Sequence, residues 1–291
     1  MKYRVIHRTH YTYGAPVTVS HHAARVEPRA TPLQRLLEWS LRIVPEPAVR
    51  KMRVDYFGNR VCFFSVQELH RDLEIVAESV VERQGPVRKA EGEGPAWERV
   101  VRDLNMPATP ETLDALQYVF ESPHVRPSRE LAELAQDSFT PGRPLLSAMD
   151  HLNRRIHREF TFDAEATTVA TPLETVLSER RGVCQDFTHL ALGCLRSMGL
   201  AARYTSGYLR TFREGDRSAL VGADATHAWL SVFCPGMGWV DFDPTNDLRP
   251  SVDHIAVAYG RDFSDVSPIA GLVIGGGEHT LDVAVRVEPI V

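Results

Sequence analysis

A chain of 291 residues with 43% hydrophobic and 24% charged residues can bury a substantial core and is long enough for two domains. Its net charge of -5 argues against a general nucleic-acid binder, because phosphate contacts need clustered Lys and Arg and the pair Arg180-Arg181 is no such cluster. No stretch approaches the roughly eighteen apolar residues of a membrane span, and residues 1–8 lack the apolar run of a secretory signal, so no membrane partner and a cytoplasmic location are the default expectations.

In chain order, alternating β-branched segments at residues 3–13, 17–26, 36–44 and 61–66, punctuated by Gly14, Pro45, Pro47 and Gly58-Asn59, predict a β-sandwich-like domain over residues 1–84. The polar stretch from Gln84 to Pro95 breaks the pattern, and residues 85–110 read as a linker. Helical periodicity follows at residues 111–121, 128–136 and 144–160, the last with Leu145, Met149, Leu152 and Ile156 on one face. Thr171-Pro172 resembles an N-cap with proline at the first helical position. After Gly182, apolar residues at Phe187, Leu190, Ala191, Leu195 and Met198 form a helical stripe that stops at Gly199. Cys184 therefore sits in the first turn of a buried helix. There the positive end of the helix dipole and unpaired N–H groups favour a nucleophilic sulfur. Gly182 permits a tight bend just before the helix.

β-rich segments complete the chain at residues 201–212, 226–233, 239–242 and 281–287. Alternation places His227, Trp229, Ser231 and Phe233 on one strand face. A hairpin turning near residues 235–237 sets His227 across from residues 243–247, with Asp243 and Thr245 in the parity to share its face. A thiol at Cys184, an imidazole at His227 and a carboxylate at Asp243 thus occur in the order a cysteine-nucleophile enzyme needs, and a carboxylate accepting from one imidazole nitrogen would leave the other facing the thiol. The fold class is α+β, helices on an antiparallel sheet following the β-sandwich-like domain, with the catalytic part at residues 111–291.

These residues resemble a known family. Gly182 to Phe187, Arg203 to Tyr208, His227-Ala228-Trp229 and Gly238 to Asn246 look like the core of the bacterial transglutaminase-like proteins, a branch of the papain-like cysteine enzymes. Tyr11 to Val17 and Asp55 to Asn59 look like the β domain that precedes this core in one bacterial subgroup, and Ala258 to Val266 is similar to the same subgroup's C-terminal segment. The resemblance implies Cys184 as nucleophile, His227 as general base and acid and Asp243 as the residue that orients the imidazole, in an attack on an amide or peptide carbonyl through a thioester intermediate, with a protein, peptide or small amide as substrate. Water would give hydrolysis or deamidation; a lysine amine would give a crosslink. Animal members carry a tryptophan ahead of the cysteine, and this chain has none between Trp97 and Trp229, a departure that favours hydrolysis over crosslinking.

Other residues have plainer readings. Asp241 is the competing carboxylate, Asp186 complements the helix start, and His189 is rotated away from Cys184 and structural. Gln185 reads as a solvated helix-start residue. Trp229 and Trp239 wall a substrate channel or lie in the core. Cys184 N–H is one oxyanion donor; residues 160–163 are the segment to inspect for the second. The loop at residues 211–223 is a lid or an exposed connection. Cys62, Cys194 and Cys234 have no metal-ligand spacing, and strand alternation scatters His7, His10, His21 and His22 over two faces, so neither metal nor cofactor is expected. The alternatives are an acyltransferase such as an arylamine N-acetyltransferase, which shares the Cys-His-Asp order, and a partner-binding protein with a vestigial triad.

Overall fold

The computed structural model describes residues 1–85, 94–211, 220–222 and 225–290. Most of the polar stretch at 84–95 and of the loop at 211–223 lies outside the described residues. The N-terminal strands are β1 (Lys2–Ala24), β2 (Gln34–Val44), β3 (Val49–Val54), β4 (Arg60–Val66) and β5 (His70–Arg83). Helices α1 (Trp97–Asn105), α2 (Pro110–Leu116), α3 (Arg129–Gln136) and α4 (Leu145–Glu159) follow, then β6 (Thr161–Phe162), α5 (Leu173–Glu179), β7 (Arg181–Gly182) and α6 (Cys184–Ser197). The chain continues through β8 (Ala202–Leu209), β9 (His227–Cys234), β10 (Gly238–Phe242), β11 (His254–Gly260), α7 (Phe263–Val266), β12 (Ile269–Gly275) and β13 (His279–Ile290).

β1 organises the first sheet. Its first half lies between β5 and β13 and its second half between β4 and β12, with a shift of register around Gly14-Ala15-Pro16. Leu41, Ile43, Leu73 and Ile75 of β2 and β5 pack in one cluster with Val17, Cys62, Phe64 and Val66 of β1 and β4, the core of the expected N-terminal β domain, whose strands form one seven-stranded antiparallel sheet. On the same face, Tyr3, Val5, Val81, Val285 and Val287 pack instead against the core that contains Tyr208 and Ile255. His7 Nδ1 lies 2.8 Å from the Tyr208 hydroxyl across this junction, and burial pushes the imidazole pKa down to about 4.

Two boundaries differ from the sequence reading. β12 and β13, assigned above to the second domain, pair with β1, and α1 lies within the expected linker. The alternation of Val283, Val285 and Val287 marks a strand but carries nothing about a partner at the far end of the chain. The helices otherwise follow their apolar stripes: Leu145, Met149, Leu152 and Ile156 of α4 are all buried. Pro172, expected as the first helical residue, is itself the N-cap of α5.

The second sheet has the order β10-β9-β8-β11, all antiparallel. α6 packs on β8 and β9, and α3, α4 and α5 pack around α6. β9 is buried along its whole length because it is an interior strand covered by α6.

Candidate active site

Cys184 is the first residue of α6 and is half-buried. The approach is fixed by β7, whose Arg181 and Gly182 pair in parallel with Thr161 and Phe162. Asp186 then folds back over the helix start. Its Oδ2 accepts the Val183 N–H at 2.8 Å and the Thr167 hydroxyl at 2.6 Å. Burial nevertheless pushes this carboxyl's pKa up, against the lowering effect of both hydrogen bonds. Gly182 has a specific reason to be glycine: a Cβ there would lie 2.6 Å from Asp186 Oδ2. The residue before the N-cap is kept bare so that the cap can reach the backbone.

The Asp243 segment follows from its sequence. β10 pairs with β9 from Gly238 opposite Cys234 to Phe242 opposite Leu230, then ends, and Asp243 N–H donates to Leu248 O at 2.9 Å. Pro244 has no N–H, so the next free donors of the turn are Thr245 and Asn246. Both donate to Asp243 Oδ1, at 3.0 and 3.2 Å. Oδ2 is left for side chains. It receives His227 Nε2 at 2.8 Å, Asn246 Nδ2 at 2.8 Å and His254 Nε2 at 3.1 Å.

The His227 and Asp243 side chains are wholly buried. Burial alone would lower the imidazole pKa, but the charge of Asp243, the influence of Cys184 and the Asp243 hydrogen bond outweigh it and push the value up to about 10. Burial would likewise raise the Asp243 pKa, yet His227 and His254 hold it well below the ordinary carboxylate range. With Nε2 committed to Asp243, His227 Nδ1 is buried and has no hydrogen-bond partner among the described residues. It is the nitrogen free to exchange a proton. Gly222, at φ +88°, stands against it: a Cβ on Gly222 would lie 2.9 Å from Nδ1. Asn246 ties this segment down, accepting the Val221 N–H through Oδ1 at 2.8 Å.

The structure thus joins His227 to Asp243 and starts α6 with Cys184, which acts on the same imidazole. Asp241 lies elsewhere, accepting from the Ser231 hydroxyl at 2.5 Å. Trp229 is a core residue beside both histidines, with ring centroids 6.1 Å from His227 and 5.2 Å from His254. Trp239 packs with Tyr118 and Phe233. His189 accepts the Phe263 N–H at 3.2 Å, a structural role. Of the segment suggested for the oxyanion, the N–H groups of Thr161 and Asp163 donate to Arg180 O and Gly182 O and are spent. Sequence reasoning missed His254, Asn246 and Gly222. Asn246 was within reach as the residue ending the Asp-Pro-Thr-Asn turn; β11, which carries His254, was not assigned as a strand at all. His227, Asp243 and His254 offer ligand-type atoms within 4.8 Å of one another, but Oδ2 already takes N–H donors from both rings.

Residues 3–82 match the bacterial transglutaminase-like N-terminal region, and residues 132–244 match the transglutaminase-like superfamily. An uncharacterised Mycobacterium tuberculosis protein is 40% identical over 299 residues, spanning 99% of this chain and 93% of that protein. The chain belongs to the transglutaminase-like superfamily. An uncharacterised Mycobacterium leprae protein is 33% identical over 290 residues, spanning 98% of this chain and 97% of its own length. A protein-glutamine gamma-glutamyltransferase of Pseudomonas aeruginosa is 26% identical over 126 residues, 42% of this transglutaminase-like chain and 19% of that protein. In fold, the transglutaminase-like chain is similar to a solved structure of a candidate cysteine protease from Cytophaga hutchinsonii, with a TM-score of 0.77, 21% identity, and coverage of 99% of this chain and 90% of that one. Among the described residues, no helix is long and apolar enough to cross a membrane.

Proposed function

We propose that the protein is a cysteine enzyme that cleaves an amide or peptide carbonyl substrate through a thioester on Cys184, with hydrolysis as the outcome. The observation that carries this reading is the buried 2.8 Å contact from His227 Nε2 to Asp243 Oδ2, which leaves Nδ1 as the free nitrogen of an imidazole whose pKa Cys184 helps to raise. The thiolate attacks the carbonyl carbon, and the C–S bond forms as the oxygen takes the negative charge. The Cys184 N–H, in a first helical turn without intrahelical acceptors, is a donor for that oxygen. His227 gives its Nδ1 proton to the leaving nitrogen, the C–N bond breaks, and an amine or ammonia departs. Water then attacks the thioester, His227 takes a proton from it, and the C–S bond breaks to release the acid and restore the thiolate.

Asp243 keeps the proton of the neutral ring on Nε2 and stabilises the imidazolium. Similarity to the Pseudomonas aeruginosa glutamyltransferase favours a second outcome, in which a primary amine replaces water. The test is acyl-enzyme trapping. Wild-type and Cys184→Ala proteins are incubated with glutamine peptides and small amides, following ammonia release and intact mass. A Cys184-dependent adduct or product is expected, and added primary amine then sorts transfer from hydrolysis. No adduct with any donor, together with a thiol that titrates as an ordinary cysteine, would leave a partner-binding protein as the reading.

A further inference from the structure

β11 is an edge strand of the second sheet, with β8 on one side. Its other edge is buried under the N-terminal sheet, where main-chain N–H and C=O groups need partners. Side chains supply most of them, beside the Arg29 main-chain N–H, which donates to Ala256 O at 3.0 Å. Gln34 accepts the Ala256 N–H through Oε1 at 2.9 Å and donates Nε2 to Ala256 O at 2.7 Å. Asn59 does the same at Tyr259, with both contacts at 2.8 Å. Each amide reproduces the donor and acceptor pair of a neighbouring strand. Near the start of β11, Arg83 Nε donates to His254 O at 2.9 Å, and the Tyr3 hydroxyl donates to Asp253 Oδ1 at 3.0 Å.

The residue clamped most directly is His254, whose ring reaches Asp243 Oδ2 at 3.1 Å. It is 1% exposed, and Trp229 packs edge-on against it at 88°. His254 Nδ1 is buried with no partner among the described residues, so the ring's proton belongs on Nε2, where an acceptor exists. Two imidazoles therefore donate to one carboxylate oxygen. His227 must gain and lose its other proton at Nδ1 while it keeps this contact, whereas His254 sits on the side of the N-terminal sheet as a fixed donor.

We infer that His254 is a positioning residue, which holds Asp243 Oδ2 where His227 needs it, and that the N-terminal sheet serves the active site by holding His254. This role rests on the reading of Cys184, His227 and Asp243 as the catalytic set. Without the second donor, Oδ2 is held by His227 and Asn246 alone, and the carboxylate can follow the imidazole instead of fixing it. Arg83 is the main-chain clamp of this arrangement, while Gln34 and Asn59 hold the strand beyond it.

The test compares the pH dependence of Cys184 alkylation by iodoacetamide, and kcat and KM on the best donor from the amide panel, in wild type, His254→Phe, His254→Asn, His254→Gln and Arg83→Met. Phenylalanine fills the volume without a donor, asparagine is polar but too short to reach Oδ2, and glutamine carries an N–H at similar reach. For the Phe and Asn variants the expected result is a loss of about 10- to 100-fold in alkylation rate at mildly acidic pH and in kcat, with KM little changed. Glutamine should restore most of the rate, and Arg83→Met should give a smaller loss in the same direction. A folded Phe or Asn variant with the wild-type alkylation profile and kcat would overturn the role of His254. Wild-type protein that alkylates as an ordinary thiol at every pH would instead sink the catalytic reading itself, so the two failures are distinguishable. Should the Phe variant not fold, the Asn and Gln pair decides the matter alone.

Discussion

Asp243→Asn changes one atom and removes one charge at the most constrained point of the site. Asp243 accepts five hydrogen bonds, two at Oδ1 from main-chain N–H groups and three at Oδ2 from His227, Asn246 and His254. An asparagine can keep its carbonyl on Thr245 and Asn246, but its NH2 group then faces three donors. His227 can satisfy that group only by accepting at Nε2, which moves the ring proton to Nδ1, the nitrogen required as base toward Cys184. In Ser-His-Asp enzymes the wrong tautomer costs about 10⁴ in kcat, and a loss of about 10³- to 10⁴-fold is expected here. The fold suffers as well, because breaking a wholly buried charge pair costs about 3–5 kcal/mol.

Single-turnover acylation and Cys184 alkylation between pH 5 and 9, on protein shown to be folded by circular dichroism and urea titration, measure both effects. The wild-type profile should reflect an imidazole that stays protonated well above neutrality, as its pKa of about 10 requires. In the Asn variant the protonated ring loses its counter-charge, and the pH profile should move toward lower pH. An Asn variant that keeps its rate within about 10-fold of wild type would refute the tautomer argument, and an unchanged urea midpoint would refute the buried charge pair.

Three further outcomes follow from the same contacts. His227 has its pKa raised from 6.5 to about 10 on folding, so its protonated form stabilises the fold; the contribution is full below about pH 6.5 and is lost as pH rises toward 10. Urea midpoints should therefore fall between pH 7 and 10 more steeply in the wild type than in His227→Gln, by the equivalent of a few kcal/mol, the fall left in the variant coming from the buried thiols and tyrosines whose pKa values burial raises; equal slopes in the two proteins would contradict the assignment. Gly222→Ala places a Cβ 2.9 Å from His227 Nδ1 at a left-handed position, so kcat should drop about 10-fold or more, and an unchanged kcat would mean that this segment does not stand against the ring. Gly182→Ala, with its Cβ 2.6 Å from Asp186 Oδ2, should dislodge the helix cap, cost about 1–2 kcal/mol in denaturation and slow alkylation of Cys184; wild-type stability would show that the cap does not need the space.

What the sequence made legible was local. The stripe from Phe187 to Leu195 places a helix after Cys184, and alternation around His227 with a turn near residues 235–237 brings Asp243 within reach of the imidazole, because both patterns repeat over a few residues. The parts that escaped are non-local. β13 looks like any strand until β1 is seen beside it, β12 falls outside the predicted strands altogether, and His254 gains its meaning only from a carboxylate on another element. β11 reads poorly as a strand because nearly all of His254–Gly260 is buried, so no polar–apolar alternation marks it. Gly222 is similar: its neighbour His227 is close in sequence, but nothing in the residue types says that the main chain turns back onto the ring.

These non-local contacts bear on what the N-terminal sheet is for. A separable recognition module would meet its neighbour through a surface whose loss leaves the neighbour's strands satisfied. Here the junction carries the partners of Ala256 and Tyr259 main-chain groups, the clamp on the His254 carbonyl and the buried His7 contact to Tyr208. β1 in turn depends on β12 and β13 from the other end of the chain. Removing either part would expose unpaired backbone on the other, each buried group costing about 1–3 kcal/mol. The two matched family regions are therefore one folding problem, and the order of the Asp243 carboxylate is one of the things that solution sets.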